Sequence, residues 1–169
     1  MLTDNPQTMK PFTKTVLMTG LIAGTLDLAS AFLVQFLKTG YFPTKLLHYI
    51  AGGALGLGTT MKGGAEMIFL GLFFHYIIAF SFTLFFFLIF PKFRFLHQNK
   101  YLTAFLFGIF ISLVMELVVL PLSLLPQSNT INWSNKIIAT SVLILALGVP
   151  ISLHAFAYFQ VKQNTDKSL

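Results

Sequence analysis

The chain has 169 residues, of which 56% are hydrophobic and 9% charged, with twenty phenylalanines and a net charge of +6. A soluble domain averages about 25% charged residues, so a chain this apolar reads as one small membrane-embedded domain. There is no cysteine, which excludes disulfides, thiolate metal ligands and thiol nucleophiles, and the cations sit at the ends of apolar runs rather than in a stripe, which argues against nucleic acid as a partner.

Residues 1–13 are polar, contain Pro6 and Pro11, and read as a flexible tail. The first span runs from about Lys14 to Lys38, with an apolar core Val16–Leu37 that is long enough to cross a bilayer. Lys10, Lys14 and the small-residue stretch Ala29–Ala31 resemble parts of a signal peptide. The run is longer than an h-region and holds Asp27, so a retained helix is expected. Asp27 is the only charge inside it. Gly20, Gly24, Asp27 and Ala31 are spaced four, three and four apart and share one helical face. Small residues there allow a neighbouring helix to approach, and a carboxylate at that depth must face protein or water rather than lipid.

Pro43–Gly58 opens with a helix-starting proline, but its apolar core Leu46–Leu57 is too short to span. It reads as a short interfacial or re-entrant helix between the first and second spans. The second span is Ala65–Phe90, ended by Pro91, with Gly71, His75 and Ala79 on one face. Pro91–Lys100 reads as a solvated basic hairpin containing His97. The third span is Tyr101–Leu125, with Gly108, Ser112 and Glu116 four apart and Pro121 placed to kink it or free the Leu117 carbonyl. Gln127–Asn135 is a polar loop with Trp133 as an interfacial anchor. The fourth span, about Lys136–Gln160, holds Pro150 and His154, and Val161–Leu169 is a polar tail. The fold class is therefore an all-α integral membrane protein of four spans plus one short helix, a single domain over residues 14–160. Gly20, Gly24, Gly71 and Gly108 are its close-packing positions.

Seven cations (Lys10, Lys14, Lys92, Arg94, Lys100, Lys162, Lys167) lie on the side of the termini and four (Lys38, Lys45, Lys62, Lys136) on the other. The positive-inside rule then places both termini in the cytoplasm.

Asp27, His75 and Glu116 fall at similar depths in an up-down bundle and form an expected intramembrane polar layer. His154 lies roughly 10 Å or more away, toward the inner interface. Three readings of that layer stay open. It is a structural network, a proton or cation path, or a metal site of mixed oxygen and nitrogen ligands. No helix carries paired ligands such as HxxxH or ExxH, GxSxG is absent, and the Gly-rich run at residues 50–58 fits no phosphate loop, so no catalytic residue and no cofactor are assigned. A transport, proton-handling or accessory membrane component is the leading expectation, with an intramembrane metal-dependent enzyme as the alternative. The expected partners are the bilayer and a second copy or another membrane protein.

The segments TLDLASAF (Thr25–Phe32), P-x4-HYIAGGALG (Pro43–Gly56), GLFFHYIIAFSF (Gly71–Phe82), FPKF (Phe90–Phe93) and VVLPLSLLP (Val118–Pro126) resemble a group of small bacterial membrane proteins similar to the YagU-like inner-membrane proteins. The resemblance implies four spans in a bacterial inner membrane and carries no reaction. It also implies that the position of Glu116 is often a neutral amide, which leaves Asp27 and His75 as the central pair of the layer.

Overall fold

A computed structural model describes residues 11–126 and 132–166. The amino-terminal tail up to residue 10, the middle of the third connection and the last three residues lie outside the described residues. Among the described residues all regular structure is helical. Four helices are long and apolar enough to cross a membrane: Phe12–Thr39, Ala65–Lys92, Lys100–Leu122 and Trp133–Val161.

Helix α1 (Phe12–Thr39) stops at Gly40, whose left-handed φ of 72° lets its N–H return to the Phe36 carbonyl at 2.8 Å. Two short helices follow, α2 (Leu46–Leu55) and α3 (Leu57–Thr60), separated by the second left-handed glycine, Gly56. Helix α4 (Ala65–Ile89) runs into two 3₁₀ turns, Phe90–Lys92 and Arg94–His97. This connection is folded rather than solvated. Leu96 is buried, Thr103 donates to the Leu96 carbonyl at 3.0 Å, and the His97 ring lies 4.3 Å from that of Phe90. The aromatic positions decide the difference, because Phe90 and Leu96 can leave water only if the turn folds back onto the bundle.

The third span is α5 (Lys100–Val114), a π-helical turn (Met115–Val119) and α6 (Leu120–Leu122). It begins on Asn99, whose side chain accepts from the N–H groups of Tyr101 and Leu102. The fourth is α7 (Trp133–Leu143), a second π-helical turn (Ile144–Gly148) and α8 (Val149–Asp166), started by Asn132 in the same way. Trp133 thus belongs to the first turn of α7, and α8 continues six residues past Gln160.

Each π turn comes just before a proline. The N–H of Leu120 bonds back five residues to Met115, and Pro121 follows. The N–H of Val149 bonds back five residues to Ile144, and Pro150 follows. A proline in a regular helix lacks the N–H for the carbonyl four residues back and collides with it. Taking up one extra residue before the ring relieves that collision and widens the turn.

The core occupies one half of the bundle. Val16, Phe82, Phe86, Phe87, Phe90, Phe107, Ile111, Ile151 and Ala155 form it, with Phe12, Phe156 and Phe159 packed around. This is the end that carries the start of α1, the end of α4, the start of α5 and the end of α8. We call it the closed end. The opposite end, where α1 finishes and α4 and α7 begin, is the open end. There α2 packs on α4 so tightly that a methyl group on Gly71 would sit 2.0 Å from the Leu47 carbonyl oxygen. The Leu124 N–H ties the end of the third span to the Gly53 carbonyl of α2 at 2.8 Å.

Candidate functional site

The first polar seam joins α1 to α4. Gly20 faces the ring of Phe80, where a Cβ would stand 2.3 Å away, and Gly24 faces Tyr76 and Ala79, where a Cβ would stand 3.0–3.1 Å away. This approach brings His75 Nε2 to 2.8 Å from the Gly24 carbonyl. A carbonyl only accepts, so Nε2 carries a proton and donates it there. One residue further, Thr25 spends its hydroxyl proton on the Leu21 carbonyl at 2.7 Å. The Tyr76 hydroxyl, 2.7 Å from Thr25 Oγ1, therefore donates to it. Asp27 lies on the next turn of α1, close enough to His75 for an electrostatic interaction. Among the described residues nothing donates a hydrogen bond to its carboxylate.

The second seam joins the third span to the fourth, and the stripe Gly108, Ser112, Glu116 runs along it. Gly108 lies against Ile144, with no room for a Cβ. Ser112 Oγ is 2.7 Å from Thr140 Oγ1, and Glu116 forms an ion pair with Lys136. Glu116 is itself in the first π turn, so the widened backbone holds the carboxylate that meets the cation.

Between these seams, at the open end, lies a half-open cavity of about 680 Å³. Its walls come from α1, α2, the end of the third span and α7. Asp27 lies deepest along α1, Ser112, Glu116, Lys136 and Thr140 line the opposite wall, and Lys38, Tyr49 and Asn135 stand at the rim. Lys38 Nζ donates to Asn135 Oδ1 at 2.8 Å and joins the rim ends of α1 and α7. No residue of α4 lines the space.

The three residues of the expected layer are thus divided. Asp27 and Glu116 share the cavity. His75 does not line it and is held by the Gly24 carbonyl. Among the described residues no three His, Asp or Glu side chains converge as metal ligands. His154 is bonded within its own helix, Nδ1 to the Pro150 carbonyl at 2.7 Å. His48 and His97 likewise take backbone carbonyls, those of Gly63 and Phe90.

Lys136 enters the sequence reading only as a cation that sets topology, yet it is the partner of Glu116. Its position on the first turn of a span, level with a carboxylate near the end of the antiparallel preceding span, is the signal that would have found it. Thr25, Tyr76 and Thr140 carry no such signal, because a hydroxyl in an apolar run bonds to its own helix as readily as across a seam. No family model, curated protein or solved structure matches the chain.

Proposed function

We propose that the protein is a small multi-pass protein of a bacterial inner membrane with both termini in the cytoplasm. Its cavity is then a vestibule open to the outer face, through which a small solute or a proton reaches Asp27. Support for insertion comes from the outer surface of the bundle. Only 17–33% of the four apolar windows is buried, and Leu17, Phe69, Phe73, Leu117 and Leu145 all point outward, an arrangement that lipid tolerates and water does not. The orientation follows the cation count, and α2 is an interfacial helix that walls the vestibule with Leu46 and Tyr49.

The observation that carries the reading is Asp27. It is a carboxylate midway along a span, it lines a cavity and receives no hydrogen bond among the described residues, and intramembrane carboxylates of that kind belong to solute and proton paths. A purely structural network would pair it. The protein is therefore a transport or proton-handling element, and the YagU-like resemblance is consistent with its size. The test is flux into proteoliposomes carrying a pH-sensitive dye under an imposed, inside-negative potential. The wild type is expected to acidify the lumen faster than empty vesicles, and Asp27→Asn to abolish the difference. A wild-type rate equal to that of empty vesicles, in the presence and absence of added solutes, would overturn the proposal.

A further inference from the structure

We infer that the ligand of the vestibule is a small organic cation, a protonated amine with an apolar body, seated with its charge on the Asp27 carboxylate. This rests on the vestibule reading above and adds the chemical class of the solute.

Four charged side chains line the cavity. Glu116 and Lys136 neutralise each other. Lys38 belongs to the last turn of α1 and reaches the rim, where it holds Asn135 and keeps its head in water. Asp27 remains. It sits eleven residues deeper on the same helix, roughly 16 Å along the axis, beyond the reach of the Lys38 side chain. From α4, His75 interacts with it electrostatically but gives its Nε2 proton to the Gly24 carbonyl, and the Tyr76 hydroxyl is spent on Thr25, so neither hydrogen-bonds the carboxylate. A carboxylate so placed gains most from a guest that brings a positive charge.

The surroundings say which kind of cation. Calcium or magnesium requires about six or more oxygen ligands. The nearest hydroxyls on the facing wall, Ser112 and Thr140, are already bonded to each other. Apart from the paired Glu116 and Lys136 and the bonded Ser112 and Thr140, the walls around Asp27 offer apolar surface from Ala31, Val34, Met115 and Leu143. The cavity's volume of about 680 Å³ is far more than a bare ion fills and lies inside the usual range of about 300–1,000 Å³ for small-molecule sites. One carboxylate without a hydrogen-bond donor, beside walls whose other charges are paired and whose remaining surface is largely aliphatic, fits an amine head followed by a short hydrocarbon body.

The chain has no cysteine, so Ala31→Cys, one turn above Asp27, gives a single thiol on the cavity wall. The rate of its labelling by a water-soluble, sulfonate-bearing thiosulfonate is measured with n-butylammonium chloride, sodium butyrate or sodium chloride present. Butylammonium is expected to slow labelling by about tenfold at about ten times its dissociation constant, while the other two salts leave the rate unchanged. Asp27→Asn in the same background should keep the labelling and lose the protection. Labelling that proceeds without amine protection, equal protection by all three salts, or protection that survives Asp27→Asn would overturn the inference and leave the vestibule standing. A thiol unlabelled from either face of the membrane would overturn both. If Asp27→Asn does not fold, the contrast between butylammonium and butyrate on the single variant decides the matter.

Discussion

The two ends of the bundle are built from the same four spans in opposite ways. Every buried residue of α1 falls between Val16 and Gly24, and none follows. Helix α7 has no buried residue, whereas Ala146, Leu147, Gly148, Pro150, Ile151, Ser152 and Ala155 just beyond it are all buried. The closed end fills its space with rings. Phe86 meets Phe107 at 4.3 Å and Phe90 at 5.6 Å, and Phe90 stacks on Phe159 at 5.2 Å. The open end replaces those rings with Asp27, Glu116, Lys136 and Lys38, none of which can fill a gap between helices without partners or water. Composition along each helix, rather than helix length or number, decides where the bundle is solid and where it is hollow.

Four substitutions break or sharpen this contrast. The largest effect is expected from Phe86→Ala, which empties a fully buried site at the closed end. It should cost about 3–5 kcal/mol, read as a lowered unfolding midpoint of the detergent-solubilised protein. A cost no larger than that of an outward-facing phenylalanine such as Phe69 would show that the closed end is not packed. Next is Gly148→Ala, whose methyl would stand 2.4 Å from the Ala104 carbonyl oxygen. Backbone meets backbone there, so the same assay should register a loss of about 1–3 kcal/mol. At the open end Asp27→Asn removes a charge but no hydrogen bond, and stability should move by roughly 1 kcal/mol or less. A loss of about 3–5 kcal/mol would instead be the signature of a broken buried ion pair and would restore a direct Asp27–His75 contact. The smallest effect is expected from Gly58→Ala in α3. Nothing lies within 4 Å of its added methyl, and a gain of about 0.5–1 kcal/mol in unfolding free energy should follow from the stiffer unfolded chain.

The four spans were legible in the sequence because a long apolar run has no other stable disposition, and the short helix at Leu46–Leu55 because its apolar core was too brief to be a fifth. A methyl on Gly20, Gly71 or Gly108 would come within 2.5 Å of a neighbouring atom, and one on Gly24 within 3.0 Å. Depth puts Asp27, His75 and Glu116 in one layer, but depth does not give azimuth: Asp27 and Glu116 line the cavity, whereas His75 bonds to the Gly24 carbonyl and does not line it. The prolines foretold disturbance at Leu117, but whether a helix kinks or inserts a π turn depends on its neighbours. The fold of the Phe90–His97 connection was hidden because a basic, polar-looking stretch concealed Phe90 and Leu96 as core residues.

The claim that one end is a water-filled vestibule and the other a closed core is tested most directly by a cysteine scan of both, read with a membrane-impermeant thiol reagent on intact and inverted vesicles. Single cysteines at Ala31, Val34 and Ser112, which line the cavity, should react from the face that carries Lys38. Cysteines at Thr19, Thr83 and Ser152, fully buried toward the closed end, should react from neither face. Equal reactivity of the two sets, or reaction of the first set from the side of the termini, would contradict the account.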